Sequence, residues 1–361
     1  MTALTKTHKT YAAIILLGIA LLFWGYHVAH IRIEFPDSHV DGLLVCSPEY
    51  NPAPWESASD ASLYTQLEEA LGNAVDPDSQ VMSVIQRLDL SEDERTIALA
   101  ELTNQYPENR LANLRFLDAC AATFESPACD VGSVEAANAV NDDNAMSWSL
   151  LSVYQSKLLN EAGVQSALLR AANAPVFDDH FGSQLRTLRA ALAAETDDEV
   201  IAQAWTLQGG GRLVLNNINQ LSAVCSSGDL LPASLLHACV DVGERMELEG
   251  QSLIMAMMGM AIQEIAYSGL GDGAELERVE QKYLEFQRAR SAPDSLWNQF
   301  NRAASLMSYD VNLATLWMDS LIEFGETEAG IANVVAEARR LSAEPDYQPC
   351  RSPGPRISYV P

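Results

Sequence analysis

The chain has little lysine and a large excess of acidic residues. Only four lysines occur among 361 residues, and 22 basic residues face 49 acidic ones, which gives a formal net charge of −27. Nucleic acids and anionic lipid surfaces are bound through Lys and Arg side chains that replace counterions. The overall charge therefore argues strongly against nucleic acids and anionic lipid surfaces as partners.

The chain also lacks the short motifs that accompany common chemistries. There is no His-Glu-x-x-His, no Gly-x-Ser-x-Gly, no phosphate loop with Lys and no Cys-x-x-Cys. The glycines at 209–211, followed by Arg212, have no preceding strand and no Lys-Ser/Thr, so they indicate a helix-breaking linker. We assign no catalytic, cofactor-binding or metal-ligating residue and expect no cofactor.

Two clusters with side chains suited to chemistry have a simpler structural interpretation. Asp178, Asp179 and His180 offer carboxylates and an imidazole for acid/base work or a metal, but Asp179 at a helix start is typical of a cap. His237 and Cys239 are two residues apart, so on a helix they do not share a face. The favoured interpretation of both is structural.

A methionine-rich stretch is the third such cluster. Met255, Met257, Met258 and Met260 follow Met246. Thioethers bind Cu(I), and flexible methionines also form pliable grooves for partner helices. No histidine accompanies the cluster, so the pattern favours filling of a hydrophobic core.

An apolar run at 11–29 predicts a membrane anchor. At 1.5 Å per residue its 19 residues come close to spanning a hydrocarbon core of about 30 Å. Lys6 and Lys9 precede it and only Arg32 follows closely, which indicates a cytoplasmic N-terminus. A cleaved signal peptide is the alternative, but His27 stands where a small residue is needed. We expect a single-pass protein of the bacterial inner membrane, with its C-terminal body in the periplasm.

Six cysteines follow the anchor, and an even number in an oxidising compartment predicts three disulfides. Six cysteines allow 15 connectivities, and free buried thiols are the alternative. Short separations favour two local pairs, which leaves one cysteine near each end of the body. The predicted pairs are Cys120 with Cys129, Cys225 with Cys239, and Cys46 with Cys350.

Apolar residues recur at helical spacing along most of the chain, which predicts an all-α fold. Ser91 and Glu94 form a capping box ahead of one helix, which ends at Tyr106 before Pro107. Strand signals are confined to 31–35 and 42–45. The other predicted helices are 61–74, 110–122, 134–139 (capped by Ser133), 145–160, 164–173, 183–194, 199–207, 213–224, 232–265, 274–290, 295–307, 311–324 and 328–341.

Similar turns recur along the first part of the body. Asn109, Asn144 and Asp179 each open a helix and are spaced by 35 residues, close to the 34-residue tetratricopeptide period. The unit that begins at Asn144 resembles a degenerate tetratricopeptide repeat, with Ser152 where the pattern has Gly and Gln155 where it has Tyr. The residues expected to form its core are Trp148, Leu151, Tyr154, Ala167 and Ala171. The whole chain also resembles a group of membrane-anchored exported proteins of Gram-negative bacteria, a resemblance that implies no activity.

The resemblance implies an array of stacked helical hairpins, a tetratricopeptide-like α-solenoid, after one transmembrane helix. First helices of such units line a concave surface where peptides or partner helices dock. The predicted function is therefore an envelope scaffold, not an enzyme, that binds another envelope protein or peptide. The predicted segments are 1–10 cytoplasmic, 11–29 anchor, 30–60 irregular linker, 61–208 repeat domain, 212–343 C-terminal helical region and 344–361 irregular tail.

An envelope hydrolase or lyase acting on the cell wall is the alternative function. Such an enzyme needs a single Glu as general acid, and Glu264 and Glu244 are candidates. An enzyme predicts a deep cleft with one desolvated carboxylate. A scaffold predicts an open groove without perturbed ionisable groups.

Overall fold

The computed structural model describes residues 38–46, 60–195, 206, 210, 213, 215–226, 231–307 and 309–351. The predicted cytoplasmic segment 1–10, the anchor 11–29, the strand at 31–35 and most of the helix at 199–207 lie outside the described residues. So does the tail beyond 351.

The described chain is mostly α-helical, which confirms the all-α prediction. A β-hairpin of β1 (Ser38–Val40) and β2 (Leu43–Val45) precedes the helices and lies inside the segment predicted as an irregular linker. The helices are α1 (Asp60–Gly72), α2 (Pro77–Gln86), α3 (Glu92–Gln105), α4 (Arg110–Ala122), α5 (Val131–Val140), α6 (Ala145–Lys157), α7 (Glu161–Asn173), α8 (Phe181–Glu195), α9 (Leu221–Cys225), α10 (Ala233–Glu249), α11 (Leu253–Leu270), α12 (Gly273–Ser291), α13 (Leu296–Met307), α14 (Val311–Phe324) and α15 (Glu328–Ser342), with 3-10 helices at Asn216–Gln220 and Pro349–Arg351.

Side-chain caps fix where several helices begin. The capping box of Ser91 and Glu94 is present at the start of α3, as predicted. Helix α2 was missed, although Asp76 caps it and Pro77 occupies its first turn, a combination that favours a helix start. Asp130, not the predicted Ser133, caps α5, which begins three residues earlier than expected.

The helix predicted at 232–265 is two helices. α10 ends at Glu249 and Ser252 caps α11 by accepting from the backbone N–H of Met255. Apolar residues recur at helical spacing on both sides of the break, because α10 and α11 form a hairpin in which each packs its apolar side against the other. Gly243 and Gly259 lie at this contact, where a Cβ on either would collide with the carbonyl of the other. The predicted helix at 213–224 is instead a 3-10 turn followed by the short α9.

The helices α2, α4, α6 and α8 begin at residues 77, 110, 145 and 181, near the expected repeat period. Successive members α2 and α4, and α4 and α6, pack together, and α3, α5 and α7 pack as second helices on α2, α4 and α6 respectively. Other contacts join elements far apart in sequence: α8 packs on α1, α2 and α14, and α7 packs on α10. A solenoid with neighbour contacts alone would lack these. The predicted linker glycine Gly210 is buried beside Leu185, while Gly209 and Gly211 lie outside the described residues.

The β-hairpin packs on the last helices of the chain. β2 contacts α13 and α15, and the backbone N–H of Leu44 donates to Ser342 Oγ at 2.9 Å. The side chains of Leu43, Leu44 and Cys46 are buried. The two ends of the described chain therefore belong to one packed unit.

Candidate functional site

All six cysteines form the three predicted disulfides. Cα–Cα distances are 5.5 Å for Cys120–Cys129, 6.0 Å for Cys225–Cys239 and 5.4 Å for Cys46–Cys350. These values lie in the range that disulfide geometry requires. The first pair joins the end of α4 to the turn before α5, and the second joins α9 to α10.

Side chains that open the first helices also link one turn to the next, and we call this set the turn ladder. Asn109 accepts from the N–H of Ala112 and donates to Asp78 Oδ1, each at 2.7 Å. Asn144 donates to the carbonyl of Asp178 at 2.7 Å and accepts from its N–H at 3.1 Å. Side-chain hydrogen bonds thus join neighbouring turns that are 31 and 34 residues apart in the sequence.

The residues predicted to form the repeat core are placed as expected, with one exception. Tyr154 is buried and its hydroxyl donates to the carbonyl of Cys129 at 2.6 Å. Leu151, Ala167 and Ala171 are also buried. Trp148 is only half-buried; its indole donates to the carbonyl of Asp142 at 2.7 Å, and Arg170 stacks on the ring at 4.8 Å from its centroid.

The face formed by the first helices α4 and α6 is covered by residues 213 and 215–225, which we call the inner segment. Its 3-10 helix contacts both α4 and α6, and α9 contacts α6. Burying a single large apolar side chain stabilises a fold by about 1.5–3 kcal/mol, so several together make the inner segment part of the hydrophobic core. Its buried apolar side chains are Leu213, Leu215, Ile218, Leu221 and Val224.

Two charged side chains of α4 hold the backbone of the inner segment. The guanidinium of Arg115 donates to the carbonyl of Leu213 and, at 2.8 Å, to Gln184 Oε1 of α8. Asp118 Oδ1 accepts from the N–H of Asn217 at 3.1 Å, and Asn217 Nδ2 donates to the carbonyl of Asp118 at 2.9 Å. The open groove expected along the first helices is therefore absent at α4 and α6, because the chain fills this face with its own residues.

Burial perturbs the ionisable groups around the inner segment, contrary to the expectation for a scaffold. Burial lowers the pKa of Arg115 to about 10 and raises the pKa of Asp118. Burial also raises the pKa of Asp179 to about 6, although its side chain accepts from the N–H of Phe181 at 3.0 Å. That hydrogen bond satisfies the backbone N–H of the first residue of α8, so Asp179 lies in a helix-start turn as predicted, although His180 is the residue that immediately precedes the helix.

His180, next in the chain, adopts a left-handed backbone conformation with φ of 57°. Its Nδ1 lies 3.5 Å from Asp178 Oδ2, and its buried Nε2 has no hydrogen-bond partner among the described residues. Burial lowers the pKa of the imidazole. The described residues contain no group of three or more His, Cys, Asp or Glu that could hold a metal ion.

The carboxylates proposed for a hydrolase do not share an environment. Glu264 on α11 is half-buried, and its pKa is raised by burial and by the nearby Glu280. Glu244 on α10 lies 3.9 Å from Arg278 with an exposed side chain. Glu326 is more buried, and burial raises its pKa, but its Oε2 accepts from the N–H of Leu253 at 2.8 Å and so ties two loops together.

The remaining sequence clusters have structural positions. His237 is exposed, whereas Cys239 is buried in its disulfide, so the two lie on different faces of α10 as predicted. The predicted core role of the methionines agrees with their burial: Met246, Met255 and Met260 are buried and Met257 and Met258 are half-buried.

One surface that sequence reasoning missed combines aromatic rings with an arginine, and we call it the aromatic corner. Arg290 of α12 lies 5.0 Å from the centroid of Phe286 and 4.2 Å from that of Trp297. Phe300 meets Trp297 edge-on at 6.2 Å and packs on Trp317 at 4.5 Å. The first four side chains are half-buried, and burial lowers the pKa of Arg290. The one sequence signal for this cluster is the strongly amphipathic pattern of residues 295–307, which indicates a helix with one apolar face.

Within the described residues, α11 (Leu253–Leu270) alone is long and apolar enough to cross a membrane by length and composition. It packs against α9, α10 and α12. Helices in the core of a soluble body meet the same criterion, so the finding is weak support for a second span.

No protein-family model matches the chain, and neither a curated protein nor a solved structure is similar enough to count as a match.

Proposed function

We propose that the chain is a membrane-anchored scaffold of the bacterial periplasm that binds another envelope protein. The apolar run at 11–29, three disulfides and helix pairs that begin at the tetratricopeptide period support this proposal. The excess of acidic residues supports a protein partner in preference to nucleic acid.

The inner segment covers the face that such repeats commonly use, so the partner needs another surface. The aromatic corner has the composition of a binding hot spot, because Trp and Arg are enriched where interfaces carry most of their energy. Its Phe286, Trp297 and Phe300 rings are half-buried and adjacent, and the guanidinium of Arg290 lies over both Phe286 and Trp297. This stacked trio is the observation on which the proposal depends.

The chain offers a matched control for a test of the aromatic corner. Arg290 over Trp297 and Arg170 over Trp148 are both arginine–tryptophan stacks with half-buried rings, but they lie on different helices. The full-length chain, Arg290→Ala and Arg170→Ala would be expressed at native level, cross-linked in intact cells and purified from detergent-solubilised envelope. Thermal unfolding would verify that both variants keep the parent fold.

Loss of a hot-spot side chain weakens binding by about 2 kcal/mol or more, roughly 30-fold. We therefore expect a stoichiometric partner with the parent chain and with Arg170→Ala, and its loss with Arg290→Ala. Equal recovery with both variants would place the binding surface elsewhere. Recovery of no stoichiometric partner from the parent chain would contradict the scaffold function itself.

A further inference from the structure

Arg290 of the aromatic corner differs from the other half-buried arginines of the described chain. Each of the others donates at least one hydrogen bond to a carboxylate or a backbone carbonyl. These others are Arg87, Arg95, Arg189, Arg245 and Arg302. Among the described residues, Arg290 donates no hydrogen bond and makes no ion pair; its guanidinium only lies over the rings of Phe286 and Trp297. All five of its N–H donors are therefore available to a ligand.

The guanidinium of Arg290 can be reached from outside the protein. The sealed side-chain nitrogens and oxygens without a partner belong to other residues, so the nitrogens of Arg290 keep contact with solvent. Partial burial of a charge without an acceptor is unfavourable, and burial lowers the pKa of this arginine. The two rings offset part of that cost through cation–π contact. A ligand that brings an acceptor to the guanidinium would offset the rest.

The acidic groups near Arg290 do not supply this acceptor. Glu326 is the one acidic residue whose charge acts on Arg290, but its Oε2 accepts from a backbone N–H of α11 at 2.8 Å and it makes no ion pair with the arginine. Residues 286–300 contain two arginines and one acidic residue, whereas the whole chain has a net charge of −27. The aromatic corner is therefore a local exception to the acidic character of the chain.

We propose that the aromatic corner binds the side-chain carboxylate of an Asp or Glu in a partner protein, with Arg290 donating to it and Phe286 and Trp297 packing on the apolar residues beside it. This inference rests on the proposed scaffold function and names the chemistry of its partner. A planar guanidinium can donate to both oxygens of a carboxylate at once. Terminal carboxylates are typically captured by clustered backbone N–H groups, so a guanidinium between rings suits a side-chain carboxylate better.

Fluorine NMR of the full chain in detergent, labelled with 5-fluorotryptophan, can report binding at Trp297. The chain has six tryptophans, and the variants Trp297→Phe and Trp148→Phe identify the two signals of interest. The first two probes are acetyl-Phe-Glu-Phe-amide and acetyl-Phe-Gln-Phe-amide, which differ in charge but little in shape. A third probe, acetyl-Phe-Phe with a free terminal carboxylate, tests the other source of a carboxylate.

The Glu peptide should shift the Trp297 signal with a Kd roughly tenfold lower than that of the Gln peptide, because hydrogen bonds between charged groups are the stronger ones. Arg290→Ala should remove this difference. Arg288→Ala, an exposed arginine on the same helix, should keep it. The Trp148 signal should show no such preference, because Arg170 beside it is exposed and exposed ion pairs contribute little.

Equal affinity for the Glu and Gln peptides on the parent chain would overturn the proposal, and that comparison does not depend on how any variant folds. A tenfold difference that persists in Arg290→Ala would also overturn it. Tighter binding of the peptide with the terminal carboxylate would refute the choice of a side chain. Partner recovery that depends on Arg290, together with equal peptide affinities, would refute the carboxylate alone and support the scaffold. A Glu preference without any stoichiometric partner would contradict the scaffold and leave the carboxylate site.

Discussion

Asp179 is a buried carboxylate whose negative charge destabilises the folded state. Replacing it with an uncharged side chain of the same shape should therefore stabilise the protein. Burial raises its folded pKa from 3.8 to about 6. A folded pKa above the unfolded value means that the native state binds the proton more tightly, so stability falls as pH rises from about 4 to about 6. The difference of about two pKa units corresponds to roughly 3 kcal/mol at neutral pH.

Asp179→Asn tests this magnitude with little change in shape. The amide oxygen of Asn can still accept from the N–H of Phe181, the hydrogen bond that Asp179 makes at 3.0 Å. The variant should unfold with a free energy about 3 kcal/mol higher than the parent at pH 7.5, about half that at pH 5, and within about 0.6 kcal/mol of it at pH 4. Urea unfolding followed by circular dichroism, with disulfides intact, measures each value.

Asp142→Asn is the control, because Asp142 is exposed and its replacement should change stability by no more than about 0.5 kcal/mol. A difference between parent and Asp179→Asn that is zero, or independent of pH between about 4 and 7.5, would refute the argument. It would mean that the carboxylate is solvated, or that the positive charge of Arg115 compensates its burial.

Three further changes test the packing of the fold. Gly182→Ala should lower the free energy of unfolding by about 1–3 kcal/mol, because a Cβ there would collide with the carbonyl of Ile322. Gly273→Ala, where a Cβ meets nothing within 4 Å, should change it by less than about 1 kcal/mol in the same chemical denaturation; equal losses would contradict the close approach. Replacing both Cys46 and Cys350 by Ser should lower stability by roughly 5–6 kcal/mol in the chain-entropy treatment, since the two cysteines are 304 residues apart; an unchanged melting temperature would contradict a stabilising role of this disulfide. Ser91→Ala removes a capping box and should cost about 1 kcal/mol, most visible as loss of hydrogen-exchange protection in the first turn of α3.

Local signals explain most of what the sequence predicted. Caps and apolar period placed α4 and α14 at their observed bounds, and cysteine separation selected the observed pairs. Some failures overlooked a local signal, as with the Asp76 cap and Pro77 of α2 and the Ser252 cap of α11. The helix predicted at 232–265 included residues 250–252 because apolar residues recur at helical spacing on both sides of them. That spacing reflects the packing of α10 against α11, not the continuity of one helix.

The candidate surfaces were less accessible to sequence reasoning. The first-helix face was expected to be open, but Arg115 meets Gln184 and Leu213, which are 69 and 98 residues further along the chain. No local pattern links such residues. The aromatic corner likewise joins Phe286 and Arg290 of α12 to Trp297 of α13. These side chains meet because the two helices pack together across a helix break, and the sequence does not specify that packing angle.

The nested arrangement of the disulfides has a consequence for how the chain matures. If the body enters an oxidising compartment in chain order from the anchor onward, Cys46 is exposed before all other thiols, while its partner Cys350 arrives last. If cysteines were oxidised in the order in which they enter the compartment, Cys46 would pair with Cys120 and Cys129 with Cys225, and both pairs would be non-native. A chain oxidised in that order needs exchange through mixed disulfides to reach the native pairs, and its yield should then depend on an isomerase or a thiol buffer.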